Sequence, residues 1–379
     1  MLSVSGLDLA RSPFVIAWES TRACAYHCAH CRADSQPYRD PDELDTSEAL
    51  ALVDDLAGFE TRPILVLTGG DPLARRDVFE IAAHAGRRGL RVALTPTATP
   101  LTTPARMIEA RSVGIRNVAF SLDAPEAPLH DRFRGLAGSF ERTLAGIEAA
   151  AEAGLSVQVD TTVCVLNAGV IEQMVQFLSG LGIARWSVSF LVPTGRLGRS
   201  TMLSPWGHEW LIHWLVAAAP TLPFDVDVGA APQHRRIARE HRGSSPPVVA
   251  DRSSAACSGP SPETFNDGRG LMFVSHRGEV MPSGFLPISA GQVWEDGPVR
   301  IYREAPLFRQ LRNPTALRGK CGRCEFRELC GGSRARAYAV TGNPMESDPS
   351  CPYRPSSASE SDPSSSRATA SGGGPPDTP

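Results

Sequence analysis

Between residues 14 and 191 short apolar runs alternate with longer amphipathic stretches, and no other feature limits the folds open to this 379-residue chain so sharply. The apolar runs predict strands at 14–19, 64–68, 91–95, 116–121, 156–164 and 185–191. The stretches between them predict helices at 46–58, 77–88, 103–113, 140–153 and 168–181. The second run, residues 64–68, is apolar without alternation, the pattern of a strand covered on both faces. Strands joined by helices lie parallel in one sheet, so the chain reads as six parallel βα units. In barrels built this way the reactive side chains gather at the carboxyl ends of the strands.

Cys24, Cys28 and Cys31 follow the first strand and supply three thiols from one loop. A cubane iron–sulfur cluster has four irons, so three thiolates leave one iron open. A structural zinc ion closes its tetrahedron with four ligands, which here would require His27 or His30 from the same loop. The second strand ends in Gly69, Gly70, Asp71 and Pro72. Two glycines at a strand end let the backbone approach a ligand closely, or simply make a tight turn into the next helix. The fourth strand ends in Ser121, Leu122 and Asp123, and His130, Asp131, Arg132, Phe133, Arg134 and Gly135 follow. The planar fork of Arg134 suits a bound carboxylate; it also suits an ion pair with Asp131 or Glu141 at a helix start.

Cys321, Cys324, Cys330 and Cys351 form a second group. Four thiolates at that spacing hold either zinc or a fully coordinated four-iron cluster. Together the two groups take seven of nine cysteines, and metal ligation accounts for them better than disulfides do. Cys164 lies in the fifth apolar run and reads as a small core residue. Cys257 reads as a loop cysteine.

A 42% hydrophobic content in a chain of this length supports one large domain and a smaller one. The net charge of −3 lacks the basic excess of a nucleic-acid or membrane-surface protein. The apolar stretch at 211–220 falls short of the roughly 20 residues of a membrane span, and the N-terminus lacks the features of a secretory signal, so a cytoplasmic protein is expected. Beyond residue 195 come a Trp-rich helix at 205–219, a basic run from His234 to Arg239, a Pro/Ser linker at 244–262, and a hairpin at 271–275 and 279–282 turned by Arg277 and Gly278. The Ser-, Pro- and Gly-rich end reads as disordered. The expected divisions are 1–200 for the βα core, 201–262 for the helical and linker segment, 263–355 for the second cysteine domain and 356–379 for the tail.

The run TRACAYHCAHC, residues 21–31, resembles the signature of the radical S-adenosylmethionine (SAM) enzymes. That resemblance implies an α/β fold, a partial (β/α)6 parallel barrel with a smaller C-terminal cysteine-rich α+β extension. It implies a [4Fe-4S] cluster on Cys24, Cys28 and Cys31 whose open iron chelates SAM and cleaves it to a 5′-deoxyadenosyl radical. Gly69, Gly70, Asp71 and Pro72 stand where the family has Gly-Gly-Glu-Pro against the SAM amino group, with Asp71 one methylene shorter than the usual Glu. By the same resemblance Ser121 contacts the ribose, Arg134 the carboxylate, and His30 joins the SAM contacts. The second cysteine group resembles SPASM/twitch extensions, which carry auxiliary clusters. Ser283 stands where a cysteine is expected after Gly278, and residues 331–334 lack another, so one auxiliary [4Fe-4S] cluster on Cys321, Cys324, Cys330 and Cys351 is implied.

Residues 324–338 and Pro193, Thr194, Gly195 and Arg196 are similar to the tetrapyrrole side-chain enzymes of the alternative haem pathway, in which Ser333 is commonly Cys. The function implied is a radical oxidoreductase that oxidises or decarboxylates a carboxylate-bearing small molecule such as a porphyrin propionate, fed by a flavodoxin- or ferredoxin-type electron donor. Arg196, Arg235 and Arg236 are candidate partners for the substrate carboxylate; for the last two a solvated helix face is the better reading. A second reading is a maturase that modifies a ribosomally made precursor peptide, although the 23 residues before Cys24 are too few for a leader-binding domain. A third makes both cysteine groups zinc staples of a scaffold protein.

Overall fold

The structure, a computed structural model, describes residues 8–242 and 265–356. The linker expected at 244–262, Cys257 and the tail beyond residue 356 lie outside the described residues. Six parallel strands run in chain order: β1 (Val15–Thr21), β2 (Ile64–Gly69), β3 (Arg91–Leu94), β4 (Asn117–Ser121), β5 (Ser156–Val163) and β6 (Arg185–Phe190). The five expected helices are α1 (Thr46–Leu56), α2 (Val78–Arg87), α3 (Pro104–Ser112), α5 (Ser139–Glu152) and α6 (Ile171–Ser179), with an unforeseen short helix, α4 (Ala127–Arg134), after β4. Local chemistry fixes their starts. Asp45 and Glu48 close a capping box on α1, and Thr103 caps α3 with Pro104 at its first position.

The sheet continues past both ends of the six. β7 (Asp225–Gly229) pairs parallel with β6, and β9 (Gly270–Val274) pairs parallel with β1. Around β9 lie the short strands β8 (Asn266–Asp267), β10 (Glu279–Met281) and β11 (Gly291–Gln292). The hairpin expected from the sequence is therefore β9–β10, and it joins the cysteine-rich extension to the barrel through one continuous sheet. β7 falls in the segment read as helix and linker. Its sequence, DVDVG, alternates acid with valine and so carries no apolar run to signal it.

The strands have two unlike faces. On β5 and β6 every second residue is fully buried under the helices: Val157, Val159, Trp186 and Val188 join one core with Ile16, Leu65 and Phe120. Trp186 also donates its indole N–H to Thr161 Oγ1 at 2.9 Å. Burying roughly 200 Å² of indole at about 25 cal/mol/Å² contributes about 5 kcal/mol. The alternate residues, Gln158, Asp160, Thr162, Arg185, Ser187 and Ser189, face the concave side and are only partly buried. A closed (β/α)8 barrel fills its interior with apolar layers; this sheet keeps a polar, solvent-reached concavity.

Two helices, α7 (Pro205–Ala218) and α8 (Gln233–Arg242), flank β7. On α7, His208 is buried with its ring 4.1 Å from that of Phe190, and neither ring nitrogen has a hydrogen-bond partner among the described residues. Burial, then the nearby Arg336 charge, push its pKa down to about 3, against a weaker opposite pull from Asp348. A histidine neutral in the fold and titrating near 6.5 when unfolded binds its proton only in the unfolded state between those values, so stability falls as pH drops below 6.5. From pH 7 to 5 this residue should remove about 2 kcal/mol. Urea midpoints at the two pH values should converge in His208→Leu, and an unchanged pH dependence would assign the loss elsewhere. No helix among the described residues is long and apolar enough to cross a membrane.

Candidate functional site

The loop after β1 carries Cys24, Cys28 and Cys31, which pack with the buried Tyr26 into one cluster. It is held from several sides. Cys24 N–H donates to Gln36 O at 2.8 Å, Ala29 N–H to Phe133 O at 2.7 Å, and the Tyr26 hydroxyl to Ala98 O at 2.7 Å. Burial pushes the Cys24 thiol up to about 11 and raises Cys28 as well. At Cys31 burial acts the same way, but hydrogen bonds from Ser35 and Ala33 outweigh it and draw that thiol below its usual range. Deprotonating the first two therefore calls for a bound cation or cationic cluster.

Gly69 and Gly70 serve this loop directly. Gly69 has φ +139°, and a Cβ on it would run into the Thr21 carbonyl oxygen; a Cβ on Gly70 would meet the carbonyl oxygens of Ala23 and Arg22. The glycines thus let the end of β2 slide under the backbone that leads to Cys24, where Gly70 N–H donates to Thr21 O at 2.8 Å and Asp71 N–H to Ala23 O at 2.7 Å. The Asp71 carboxylate is buried and accepts from the Thr99 hydroxyl at 2.6 Å and from Leu73 N–H at 3.1 Å, which caps the turn Pro72–Ala74. Its shorter side chain is spent on the fold's own donors, and burial raises its pKa.

At the end of β4 the polar groups are close but unsatisfied. Asp123 is fully buried; its Oδ1 accepts from Thr162 N–H at 3.0 Å, while its Oδ2 has no hydrogen-bond partner among the described residues. Arg134 Nη1 and His30 Nε2 each stand 3.8 Å from that Oδ2, within Coulomb reach and beyond hydrogen-bond reach. Arg134 Nε and His30 Nδ1 are orphaned too. Buried polar groups held this way cost free energy unless a polar ligand completes them. The alternative pairing of Arg134 with Asp131 or Glu141 is not seen among the described residues, where its nearest carboxylate is Asp123; Asp131 is instead occupied at the start of α5, accepting from Ser139 Oγ at 2.7 Å and Phe140 N–H at 2.8 Å. Asp123 belongs to the quoted motif, yet its role is visible only once the fold brings His30 and Arg134 to it.

Ser121 ends β4 beside these groups, and its hydroxyl has no hydrogen-bond partner among the described residues. In register with it across the concave face lie Asp160, Ser187 and Asp227. Asp160 sits deep in that concavity yet remains reached by solvent; burial, then the nearby Asp227 and Asp123 charges, lift its pKa to about 6 against a hydrogen bond from Gln158 at 2.7 Å. The sequence signal for this row was the period-2 placing of Gln, Asp and Ser in the fifth and sixth runs.

The three arginines expected at the substrate part company. Arg196 is engaged elsewhere: its Nη1 donates to Cys28 O at 3.0 Å and its Nη2 to Ser35 O at 3.3 Å, with Asp34 at 3.4 Å, so it clamps the cysteine loop. Arg236 is buried on α8 between Glu209 and both oxygens of Glu240, not on a solvated face. Arg235 keeps an unpartnered nitrogen.

The second cysteine group lines a single part-open cavity of about 410 Å³, shared with Arg236 and Lys320. Cys321 Sγ accepts from Asp348 N–H at 3.4 Å and Arg334 Nη2 at 3.6 Å, and Cys330 Sγ from Gly332 N–H at 3.4 Å. Asp348 ties the site together, accepting from Arg336 at 2.9 Å, Ser333 N–H at 2.8 Å and Gln233 on α8 at 2.7 Å. Ser333 caps the helix Arg334–Thr341 by accepting from Arg336 N–H at 3.1 Å. Ser283 is buried with its hydroxyl unpartnered among the described residues. The eight described cysteines are all free. Among the described residues no three Cys, His, Asp or Glu side chains converge on a point that could hold one metal ion.

Comparison with known proteins agrees with this geometry. The model of the radical SAM superfamily matches residues 18–178. The chain is 39% identical over 355 residues to the AdoMet-dependent heme synthase of Methanosarcina barkeri, covering 92% of this chain and 99% of that protein. It is 36% identical over 349 residues to the AdoMet-dependent heme synthase of Oleidesulfovibrio alaskensis, covering 90% and 87%. In fold it is similar to Streptococcus suis SuiB bound to S-adenosylmethionine, with a TM-score of 0.65 at 13% identity over 90% of this chain and 78% of that one.

Proposed function

Since the chain belongs to the radical SAM superfamily and, within it, to the tetrapyrrole side-chain subgroup of the alternative haem pathway, we propose that it oxidatively decarboxylates propionate side chains of an iron porphyrin. It is an enzyme that works with a [4Fe-4S] cluster and SAM. The observation that carries the substrate reading is the 39% identity with a heme synthase along nearly the whole of both chains. When bound, the cluster and SAM would supply a 5′-deoxyadenosyl radical able to take a hydrogen atom from the propionate, and an auxiliary cluster on Cys321, Cys324, Cys330 and Cys351 would supply an acceptor for the electron left as carbon dioxide departs and a vinyl group forms.

The chain's own residues then have distinct tasks. Cys24, Cys28 and Cys31 hold the first cluster, and Arg196 fixes their loop from the far side. Arg134 grips the SAM carboxylate with its charged fork, Ser121 and the neighbouring Asp160 take the ribose side, and the backbone at Gly70 meets the amino group. Asp123 orients Arg134 and His30. Cys321, Cys324, Cys330 and Cys351 hold the auxiliary cluster, whose N–H···S bonds from Arg334 and the 348 and 332 backbones stabilise the reduced, more negative state. A flavodoxin- or ferredoxin-type protein in the cytoplasm supplies the first electron.

Asp123→Asn keeps the Oδ1 acceptor for Thr162 and turns an amide toward Arg134. SAM should then bind about tenfold more weakly, with the cluster intact; an unchanged dissociation constant by equilibrium dialysis would remove Asp123 from the SAM site. The function itself is tested by anaerobic incubation of reconstituted enzyme with iron-coproporphyrin III, SAM and dithionite. Mass analysis should find products lighter by carbon dioxide and two hydrogens per converted side chain. SAM cleavage with the porphyrin left intact would overturn the tetrapyrrole reading in favour of another substrate, the precursor peptide included.

A further inference from the structure

We propose that His234 is the axial ligand to the iron of the substrate, an inference that rests on the iron-porphyrin reading above. His234 lies in the first turn of α8, just past the carboxyl end of β7, and so at the same edge of the sheet from which the cysteine loop leaves β1. Its Nδ1 is 2.8 Å from the carbonyl oxygen of Ala231, which can only accept, so Nδ1 carries the ring proton and Nε2 the lone pair. Burial, then the Arg235 charge, press its pKa down to about 4 against the pull of the Ala231 bond and of Asp227, so the ring is neutral at pH 7. Nε2 has no hydrogen-bond partner among the described residues, and the residue is still reached by solvent. A neutral imidazole fixed through its far nitrogen to a backbone carbonyl is the form in which proteins hold metals, because the outer bond sets the ring's orientation and raises the basicity of the ligating nitrogen.

The backbone before it is bent at a cost. Ala230 has φ +51°, in the left-handed region that a residue with a Cβ seldom enters, and strain of this kind gathers at functional sites. Directly after that bend the Ala231 carbonyl accepts both from the His234 backbone N–H, at 3.0 Å, and from its ring. The place lies between the two cysteine groups. Ala230 packs against the apolar cluster that holds Val192, just past β6, together with Leu286 and Ala335 of the extension. The same exit from β6 rests on the first cysteine loop, since a Cβ on Gly195 would run into the Cys31 carbonyl oxygen. The other histidines at this edge are committed: His30 and His130 stand beside Asp123, His27 lies in the cysteine loop, and His276 is held between the Glu19 and Asp40 carboxylates. A bond from Nε2 to the iron pins the centre of the macrocycle, so that its rim propionates are presented at fixed distance. A porphyrin without iron offers that nitrogen nothing, which makes His234 a selector for the metallated substrate.

The test is resonance Raman spectroscopy of reduced iron-coproporphyrin III on the reconstituted holoenzyme without SAM, beside binding titrations with the iron porphyrin and with metal-free coproporphyrin III. Wild type should show an iron–imidazole stretch that shifts when the protein's histidines carry 15N. His234→Ala should lose that band, regain it with added imidazole, and bind the iron porphyrin about tenfold more weakly. Both proteins should bind the metal-free porphyrin alike. Iron content and SAM affinity report whether the variant is folded. Should it lose its clusters, His234→Asn serves, since its amide can take over the Nδ1 bond to Ala231 and leaves nothing at the Nε2 position. Iron porphyrin bound to wild type with no histidine-sensitive band, or with a band that survives in the variants, overturns the ligand alone. Wild type that binds neither porphyrin overturns the porphyrin reading and the ligand with it.

Discussion

Replacing Cys24, Cys28 or Cys31 with Ala should abolish 5′-deoxyadenosine production under dithionite and lower the iron content from about eight to about four per chain. Each of the three thiols comes from one loop, and no other described cysteine packs with them, so no substitute ligand is at hand. The loss should be all-or-none because the open iron is where SAM must bind. Protein folding should survive, since the loop is held by its own backbone bonds to Gln36 and Phe133 and by the Arg196 clamp. Residual SAM cleavage above the uncatalysed level in any of the three variants would mean that the radical is generated elsewhere.

Cys351→Ala should separate the two halves of the chemistry. SAM cleavage should continue near its uncoupled rate, while conversion of the porphyrin side chain falls by several orders of magnitude, because the electron left on the substrate then has no acceptor. Cys351 lines the auxiliary cavity with the other three thiols, and its backbone carbonyl is held by the Lys320 ammonium at 2.5 Å. Burial lifts its thiol to about 11 and that of Cys330 to about 12, so both are neutral thiols near pH 7 and would ionise only on binding a metal or cluster. Equal loss of SAM cleavage and of substrate conversion would contradict the division of labour between the two cysteine groups.

The fold was legible wherever burial wrote itself into apolar runs. β1 to β6 lie within two residues of the strands read from the sequence, because each must bury one face under helices. β7 was hidden, since Asp225 and Asp227 alternate with only two valines, and its pairing with β6 supplies what its composition does not. The cysteines announced themselves by spacing. The residues around them did not, because their roles depend on which loops meet. Arg196 looked like a free cation and is spent on the carbonyls of Cys28 and Ser35, residues more than 160 positions away. Arg236 looked solvated and is buried between two glutamates. Gly69 and Gly70 were read as allowing either close approach to a ligand or a tight turn, and the structure adds a third task, room for the backbone that leads into the cysteine loop. In each case the residue type was informative and the partner was a long-range one, which periodicity cannot reveal.

The central claim is that the N-terminal cluster keeps one iron open for SAM. Low-temperature electron paramagnetic resonance of the dithionite-reduced Cys351→Ala variant, in which the N-terminal cluster dominates the signal, tests it directly. Adding SAM should shift the g-values of that cluster, and SAM labelled with 17O in its carboxylate should broaden the new spectrum. A spectrum that SAM leaves untouched would contradict the account.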